Sequence, residues 1–342
     1  MRRAGNLWTN MLERDNLRLA VVRAIRGKRD RADAREFVAH LERTLSAMAE
    51  QLHTGTFPVG RYHQFVVYDP KERIITAPCF AERVLHHAMN NVCESVFERW
   101  LIADTFACRR GKGREAAVCR GHHFARRSRC FLKLDVRKYF DSVPHDGLLL
   151  RLERLFMDRR VLDLYANVVG SFRSDLGYGL PIGSLTSQHL ANFYLGWFDR
   201  FVKEQLRPRG YVRYMDDMAL WADSAAELRL MYSRCEQFLE DELGLEFKAN
   251  SHINRTAHGM DFLGCRIYAT HIALNQRSRK RFRSKLIAIE EAHARGDLSE
   301  SALQQRVTAL TAFARTARVA SWRFRSRVIQ YVSDRSHEAR TG

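Results

Sequence analysis

Three aspartates, and the apolar runs that carry them, constrain the fold of this chain more than any other feature. Asp135 ends a short apolar run at residues 130–136, which predicts a buried strand that delivers a carboxylate to its end. Asp216 and Asp217 lie between two short runs of strand composition, and this pattern predicts a β-hairpin with the acidic pair at its turn. Pairing between the hairpin and the first strand would bring the three carboxylates together at one end of a small sheet.

The rest of the chain shows mainly helical periodicity. Helices are predicted within residues 8–52 and from residue 81 to residue 100, with a β-hairpin between them at 62–76. Apolar and aromatic residues recur at helical spacing from Ser187 to near Pro208, which predicts an amphipathic helix whose aromatic stripe packs in the core.

A later helix has both of its ends marked in the sequence. Ser224 and Glu227 have the spacing of a capping box, and Gly244 is expected to end the helix. The order of helix, strand, helix, strand–turn–strand, helix and strand predicts a mixed α+β fold with a small antiparallel sheet.

The charge of the chain indicates a polyanionic partner. The formal net charge is +18 and the isoelectric point is near 10.0. An excess of this size favours phosphate contacts and the release of counterions from nucleic acid. Residues 275–342 carry 15 Lys and Arg against 6 Asp and Glu, so half of the excess lies in this helical, basic end, as expected of a subdomain that holds a duplex by its backbone.

Several other classes of protein are not expected. No apolar run reaches the roughly 18 residues of a spanning helix, and the basic N-terminus is not followed by an apolar stretch, so we predict a cytoplasmic protein without membrane contact. The seven cysteines include no Cys-x-x-Cys pair, which argues against a zinc or disulfide framework. For the pairs at 86–87 and 122–123, surface or helix-packing histidines are expected rather than metal ligands.

The clustered aspartates fit one kind of chemistry. Joining a nucleotide to a 3′ hydroxyl requires one metal ion to activate the attacking oxygen and another to stabilise the leaving pyrophosphate. Mg²⁺ is a hard cation that prefers carboxylate oxygens, phosphate and water. The alternative is that the Asp216–Asp217 pair only forms a solvated turn, as most such pairs do.

Five motifs, in the right order, resemble those of reverse transcriptases. Tyr214-Met215-Asp216-Asp217 resembles the catalytic YxDD box, and residues 134–140 resemble the first catalytic motif, an Asp with an aromatic residue five positions later. Residues 180–188, Leu-Pro-Ile-Gly-Ser-Leu-Thr-Ser-Gln, resemble the substrate-binding motif. The two later motifs of the family are matched by residues 244–248 and 262–266.

This resemblance, which runs from about residue 62 to residue 268, implies a right-hand polymerase fold with fingers, palm and thumb. The expected division is an N-terminal helical extension at 1–60, fingers at 61–130, a palm at 131–272 and a helical thumb at 273–342. Part of the fingers, at about 145–180, is expected within the palm segment.

The resemblance also assigns the metal ligands. Asp135 and Asp216 would bind two Mg²⁺ ions, for which Mn²⁺ is a possible substitute, and Asp217 would be a weaker or indirect ligand. The Val136 carbonyl would be a further oxygen donor. Phe140 would lie beneath the sugar of the incoming nucleotide, where its ring excludes a 2′ hydroxyl; the alternative is an ordinary core phenylalanine.

Further residues are implied in binding the deoxynucleoside triphosphate. Arg73, assisted by Lys71, resembles the fingers residue that reaches the triphosphate, a role that suits a guanidinium. Lys248 matches a lysine proposed to protonate the pyrophosphate, although a solvated surface lysine is as good an interpretation. The substrate-binding motif contributes four positions: Ile182, Gly183, Ser187 and Gln188.

Basic residues outside these motifs are candidate contacts for template RNA and for the duplex of RNA and new DNA. Arg109 and Lys112 belong to a basic, glycine-containing loop. A second cluster begins the thumb segment, where the alternative is a solvated helix face. Its members are Arg277, Arg279, Lys280, Arg281 and Arg283.

The substrate motif narrows the subfamily. Ile182-Gly183, with Ser187-Gln188 at the end of the motif, resembles the reverse transcriptases of diversity-generating retroelements, which copy a template repeat RNA with errors at adenine. That resemblance implies a bacterial or phage host and a basic accessory variability protein as partner. The segment after the last motif is expected to form a thumb without an endonuclease region, in agreement with this resemblance. Low fidelity would follow if the aliphatic Ile182 replaces an amide that hydrogen-bonds near the nucleotide, unless Ile182 simply packs against the helix.

Three alternatives remain from the sequence. A retron-type or group II intron-like reverse transcriptase without an endonuclease domain is the nearest. An RNA-copying RNA polymerase is disfavoured by Phe140, and a non-catalytic RNA-binding module is disfavoured because all three acidic positions are filled.

Overall fold

The computed structural model describes residues 2–68 and 72–314. The chain divides into two compact units that each draw on separated stretches of sequence. Unit 1 comprises Met1–Arg109, Val136–Phe201 and Cys235–Lys248, and unit 2 comprises Arg110–Asp135, Val202–Arg234 and Ala249–Gly342.

Helices make up most of the fold. In chain order they are α1 (Leu7–Leu12), α2 (Arg14–Ala24), α3 (Ala32–Ala39), α4 (Leu41–Thr54), α5 (Phe80–Trp100), α6 (Arg114–Ala125), α7 (Tyr139–Ser142), α8 (His145–Glu153), α9 (Arg159–Gly170), α10 (Leu185–Tyr194), α11 (Gly196–Phe201), α12 (Ala225–Leu243), α13 (Gln276–Ala294) and α14 (Glu300–Ala314).

The strands form three small sheets. They are β1 (Tyr62–Tyr68), β2 (Glu72–Pro78), β3 (Cys130–Asp135), β4 (Gly210–Tyr214), β5 (Asp217–Ala222), β6 (His252–Arg255), β7 (Met260–Phe262), β8 (Cys265–Ile267) and β9 (Ile272–Leu274). The sheets have the orders β1-β2, β4-β5-β3-β6 and β7-β8-β9, and every pairing is antiparallel. The predicted mixed fold with a small antiparallel sheet is therefore confirmed.

Unit 1 is built around the long helix α5, which packs against α1, α2, α3 and α10. Phe97 near its end meets three aromatic rings, with centroid distances of 5.6 Å to Phe156, 6.4 Å to Tyr165 and 5.3 Å to Phe193. Such edge-on and tilted contacts are favoured by the charge distribution of aromatic rings. They give this unit a dense aromatic core.

Unit 1 also contains the predicted hairpin, which β1 and β2 form in a register from Tyr62 opposite Pro78 to Tyr68 opposite Glu72. Lys71, which lies between β1 and β2 in the sequence, is outside the described residues. The helical segment predicted at 8–52 is confirmed as helical, but it consists of four helices, because bends and turns separate stretches of similar periodicity.

The amphipathic helix predicted from Ser187 is confirmed in its aromatic stripe and wrong in its continuity. Phe193, Tyr194 and Phe198 are almost fully buried. However, α10 ends at Tyr194, α11 follows, and residues 202–206 form a π-helix in which the Arg207 amide donates to the Val202 carbonyl at 2.8 Å. Periodicity of side chains does not reveal such local changes in hydrogen bonding.

Unit 2 is organised by the four-stranded sheet, against which helix α6 packs. Side chains on one face of β3, Leu132 and Leu134, are fully buried. Gly210 begins β4 at a point where Phe124 of α6 touches the strand, since a Cβ there would lie 2.3 Å from Phe124 Cγ.

Ser224 accepts a hydrogen bond from the Glu227 amide at 3.1 Å, so the predicted N-cap of α12 is confirmed. Among the described helices, none has the length and apolar character needed to cross a membrane.

The close contact at Gly210 leads to a stability prediction. We expect Gly210→Ala to destabilise the protein by about 1–3 kcal/mol, since the added methyl group must displace the ring of Phe124 or the strand itself. Gly170→Ala in α9 is the matched control, because an added Cβ there would have no heavy atom within 4 Å and alanine favours a helix. Urea unfolding followed by circular dichroism measures both, and equal midpoints would contradict the role of this contact.

Candidate active site

The three aspartates come together at one end of the four-stranded sheet of unit 2. Asp135 is the last residue of β3 and lies directly opposite Asp217, the first residue of β5. Asp216 belongs to the two-residue turn between β4 and β5, which Tyr214 and Asp217 close as a pair. All three are partly exposed. The predicted strand, hairpin and pairing are thus confirmed.

The turn that carries Asp216 has an unusual backbone. Met215 has a φ of 57°, in the left-handed region, which costs a residue with a side chain roughly 1–2 kcal/mol. Arg213, whose side chain is fully buried, donates from Nη1 to the Met215 carbonyl at 3.0 Å. A buried guanidinium therefore holds the tip of the hairpin, a contact that sequence reasoning missed.

The electrostatics of this end of the sheet require a cation. Like charges that lie directly opposite on paired strands repel each other, as Asp135 and Asp217 do. Lys133 supplies one positive charge, because its Nζ forms an ion pair with Asp217 Oδ1. Strand alternation places Lys133 and Asp135 on the same face of β3, and this spacing was the sequence signal for Lys133.

The donor set suits Mg²⁺ in its chemistry but is not a complete protein cage. Carboxylate oxygens are the ligands that this hard cation prefers. Across residues 2–68 and 72–314, no group of three or more His, Cys, Asp or Glu side chains is arranged to hold a metal ion. Mg²⁺ commonly takes only one or two carboxylates from the protein and completes its shell with water and substrate phosphates. Asp135 and Asp216 fit that pattern.

In unit 1, residues 136–140 continue the first catalytic motif. Val136 is fully buried and forms an isolated antiparallel bridge with Phe247, beside which the Arg137 amide donates to the Glu246 carbonyl at 2.8 Å. Phe140 lies in the short helix α7 and is partly exposed, whereas its neighbour Tyr139 is 2% exposed. Tyr139 is therefore the core residue of this helix, whereas the exposure of Phe140 leaves its ring accessible.

The substrate-binding motif is fastened to β2 within unit 1. The Thr76 amide donates to the Ile182 carbonyl at 2.7 Å. Gly183 has a φ of 126°, and a Cβ there would lie 2.8 Å from Ile75 Cγ2 and 3.0 Å from the Thr76 carbonyl oxygen. Both the backbone conformation and the close approach of the strand require glycine. The side chain of Ile182 remains partly exposed.

The end of this motif forms the first turn of α10. Ser184 is the N-cap, and its Oγ accepts from the Ser187 amide at 3.4 Å. Ser187 itself is 3% exposed, while Gln188 is exposed. Of these two candidate nucleotide contacts, Gln188 has the accessible side chain.

A buried polar chain supports the N-cap of α10. Glu82 Oε2 accepts from the amides of Gly60 at 2.9 Å and Arg61 at 3.1 Å. Glu82 Oε1 lies 3.6 Å from His86 Nε2, and His86 Nδ1 is 3.2 Å from Ser184 Oγ. The predicted helix-packing role of His86 is confirmed, but its links to Glu82 and Ser184 were missed, although the four-residue spacing of Glu82 and His86 on a helix was a signal.

Burial governs the protonation of this pair. It raises the pKa of Glu82 and lowers the pKa of His86 to about 3, the latter with help from the neighbouring His87 and Arg83. Desolvation disfavours the charged form of each group. His86 is therefore a neutral hydrogen-bonding residue at neutral pH.

The remaining candidate residues have different surroundings. Arg73 is exposed on β2 opposite Val67, and Lys248 and Lys112 are partly exposed. The second basic cluster lies on α13 with every member exposed, as a phosphate-binding surface requires. Its members are Arg277, Arg279, Lys280, Arg281 and Arg283.

The predicted role of Arg109 has to be corrected. Its side chain is only 7% exposed, because its Nε donates to both carboxylate oxygens of Glu98 at 3.0 and 2.9 Å. Its Nη1 donates to the carbonyls of Ile102 and Thr105. The guanidinium stabilises the turn after α5 through these hydrogen bonds, so the prediction that Arg109 contacts nucleic acid is wrong.

The neutral, buried His86 predicts a pH dependence of stability. The unfolded chain binds a proton below the usual pKa of 6.5, whereas the folded chain excludes it until about pH 3. The contribution of the neutral His86 side chain to the free energy of unfolding is therefore complete above pH 6.5, and it is lost as the pH falls toward 3.

We expect the melting temperature of His86→Gln to fall less than that of the wild type between about pH 7.5 and pH 5. Glutamine keeps an amide that can bond Ser184 but has no titrating group. His53→Gln changes an exposed histidine and should keep the wild-type dependence. Scanning calorimetry at each pH measures the effect, and parallel curves for His86→Gln and wild type would refute it.

Comparisons with known proteins identify the family of this chain. The sequence model of the family described as "Reverse transcriptase (RNA-dependent DNA polymerase)" matches residues 69–267, more than half of the chain. The chain is 30% identical over 166 residues to nuclear intron maturase 4, mitochondrial, of Arabidopsis thaliana, covering 45% of this chain and 20% of that protein. It is 25% identical over 290 residues to protein YkfC of Escherichia coli, covering 67% and 72%.

Other matches share a smaller percentage of identical residues. The putative COX1/OXI3 intron 1 protein of Saccharomyces cerevisiae is 22% identical over 172 residues, 47% of this chain. The chain spans about a fifth of the length of this protein and of the Arabidopsis maturase. Among solved structures, telomerase from Candida albicans aligns with a TM-score of 0.46 and 9% identity, over 65% of this chain and 48% of that one.

The assignment rests on the extent of the family match, which includes all three aspartates, together with their convergence on one sheet. The small antiparallel sheets and surrounding helices agree with the right-hand polymerase fold that the motifs predicted. This chain belongs to the reverse transcriptase family.

Proposed function

We propose that the protein is an RNA-directed DNA polymerase that extends a 3′ hydroxyl by two-metal nucleotidyl transfer. The observation that carries this proposal is the pairing of Asp135 with Asp217 beside the turn that holds Asp216. Two Mg²⁺ ions, when bound, activate the attacking hydroxyl and stabilise the leaving pyrophosphate, and Mn²⁺ is a possible substitute.

The aspartates have unequal roles in this proposal. Asp135 and Asp216 hold the ions, with the Val136 carbonyl as a further donor. Asp217 acts indirectly, which is consistent with the ion pair between its Oδ1 and Lys133. The partial exposure of all three carboxylates suits groups that must reach both metal and substrate.

The nucleotide is bound by residues outside the acidic cluster. Phe140 excludes the 2′ hydroxyl, a role supported by its partial exposure. Arg73 and Lys71 contact the triphosphate, and Lys248 donates a proton to the pyrophosphate. In the substrate-binding motif, Gly183 and Gln188 face the nucleotide, and Ser187 acts through the first turn of α10.

The template RNA and its duplex with new DNA are held by Lys112 and by the exposed basic side chains of α13. We assign 1–60 to an N-terminal extension, 61–130 to the fingers, 131–272 to the palm with part of the fingers at about 145–180, and 273–342 to the thumb. Phosphate contacts of this kind supply affinity without sequence preference.

We further propose that the enzyme belongs to the diversity-generating type and copies a template repeat RNA with errors at adenine. The supporting feature is the substrate motif, with Ile182 before Gly183 and Gln188 at its end. This proposal includes a basic accessory variability protein as partner and a bacterial or phage host.

A second candidate is an intron-type or retron-type reverse transcriptase. The observation in its favour is that the curated relatives include an intron maturase and proteins encoded by introns. RNA-templated DNA synthesis with and without the accessory protein, with sequencing of the products, separates the two. Errors concentrated at template adenine indicate the diversity-generating type, and an even error spectrum indicates the alternative.

The proposed metal ligands predict a large loss of activity. We expect Asp216→Asn to reduce RNA-templated DNA synthesis by at least about a hundredfold, since a ligand that stabilises transition-state charge contributes several kcal/mol. Asp223→Asn is the matched control, because this exposed acid follows β5 and pairs with Arg209. Primer extension with deoxynucleotides and with ribonucleotides measures both. The proposal would be contradicted if Asp216→Asn extended the primer nearly as well as the wild type, or if the wild type preferred ribonucleotides.

The proposed origin of low fidelity predicts an effect of Ile182. We expect Ile182→Gln to lower misincorporation opposite template adenine, because an added amide can hydrogen-bond where an aliphatic side chain cannot. Leu230→Gln, at an exposed position on α12, controls for the introduction of a glutamine. Product sequencing measures the error rate, and an unchanged rate removes Ile182 from the explanation.

A further inference from the structure

Lys133 occupies an unusual position for a lysine. It lies within β3, an inner strand of its sheet, with Ala219 of β5 opposite on one side and His252 of β6 on the other. Its side chain is only 13% exposed. A charged group in such a place is tolerated when its charge is balanced by a partner.

Contacts with Asp217 and Phe262 help to hold the Lys133 ammonium group. Its Nζ forms the ion pair with Asp217 Oδ1, and it lies 5.5 Å from the centroid of the Phe262 ring. Phe262 in β7 is 1% exposed. Asp217 is two residues from Ala219 along β5, so Lys133 and Asp217 are diagonal neighbours, a separation that a long side chain can span.

The ion pair changes the electrostatics of the acidic cluster. Asp217 faces Asp135 directly, and Asp216 precedes it in the chain, so three negative charges lie close together. Lys133 neutralises one of them from within the protein. Because the pair is largely shielded from water, its interaction is screened less than that of a surface pair.

We propose that Lys133 is a positioning residue that retains Asp217 as an internal counterion and thereby keeps Asp217 from acting as a full ligand of the metal ions. The inference deepens the proposed polymerase function and rests on it. The Lys133 ammonium group and a divalent cation then compete for the Asp217 carboxylate. The lysine stabilises the acidic cluster in the absence of metal and lowers the affinity of Asp217 for metal.

The test compares divalent-ion responses of the full chain by thermal unfolding, first with a chelator and then across a MgCl₂ titration. The variants are Lys133→Met, Lys133→Arg, Asp217→Asn and the double variant of Lys133→Met with Asp217→Asn. For Lys133→Met we expect a lower melting temperature in chelator than for wild type. We also expect a larger rise with Mg²⁺ and a midpoint about threefold or more lower in Mg²⁺ concentration.

Two further variants separate charge from packing. Lys133→Arg keeps the positive charge and should respond to Mg²⁺ as the wild type does. The double variant should lose the enhanced response, because the unbalanced carboxylate is gone. Lys203→Met removes a lysine outside the acidic cluster and should leave the Mg²⁺ midpoint at the wild-type value.

A Lys133→Met midpoint equal to that of the wild type would overturn the proposal, as would a Lys133→Arg variant that behaves like Lys133→Met. If Lys133→Met fails to fold in both conditions, the double variant decides. Folding restored by Asp217→Asn supports charge balance, and failure of the double variant shows that Lys133 acts through packing on Phe262.

The outcome is separable from that of the proposed function. Wild-type protein that synthesises no DNA on an RNA template, yet shows the expected shift in Mg²⁺ midpoint on losing the lysine charge, would refute the polymerase proposal and keep the role of Lys133. Active wild-type protein with no shift in midpoint would do the reverse.

Discussion

The antiparallel pairing of β3 with β5 is the constraint on which the acidic cluster depends. Its register sets Asp135 opposite Asp217 and buries Leu132 and Leu134 on the other face. A slip of one residue would move Lys133 and Asp135 to the face on which Leu132 and Leu134 are now buried. The large free energy of burying the apolar side chains therefore fixes a pairing of like charges that is unfavourable in itself.

That unfavourable pairing explains the basic side chains around the cluster. Lys133 balances Asp217, and the buried Arg213 holds the Met215 carbonyl at the strained tip of the hairpin. Both are removed from solvent, where their contacts are stronger than on a surface. The acidic cluster is thus supported by residues that need not touch substrate.

In unit 1, backbone and side-chain contacts fix the conformation of the substrate-binding motif. Its backbone is fastened to β2 at Ile182 and Gly183, and its helix begins on Ser184, which is linked through His86 to Glu82. Glu82 Oε2 and His86 Nδ1 have hydrogen-bond partners, whereas Glu82 Oε1 and His86 Nε2 lie 3.6 Å apart and have none. Polar atoms that are buried in this way are costly. Arg109 shows the same principle, since a residue expected on a nucleic-acid surface is used to close a turn within the fold.

Local periodicity and motifs contiguous in the chain were enough to predict the family, the strand that carries Asp135, the hairpin of Asp216 and the basic face of α13. The ion pair of Asp217 with Lys133, the burial of Arg109 and the interruption of the helix after Ser187 are visible only in the folded chain. Those facts depend on which distant side chains share a buried environment. Local patterns contain no information about that, since the free energy of a charged or polar group is set by its neighbours in space.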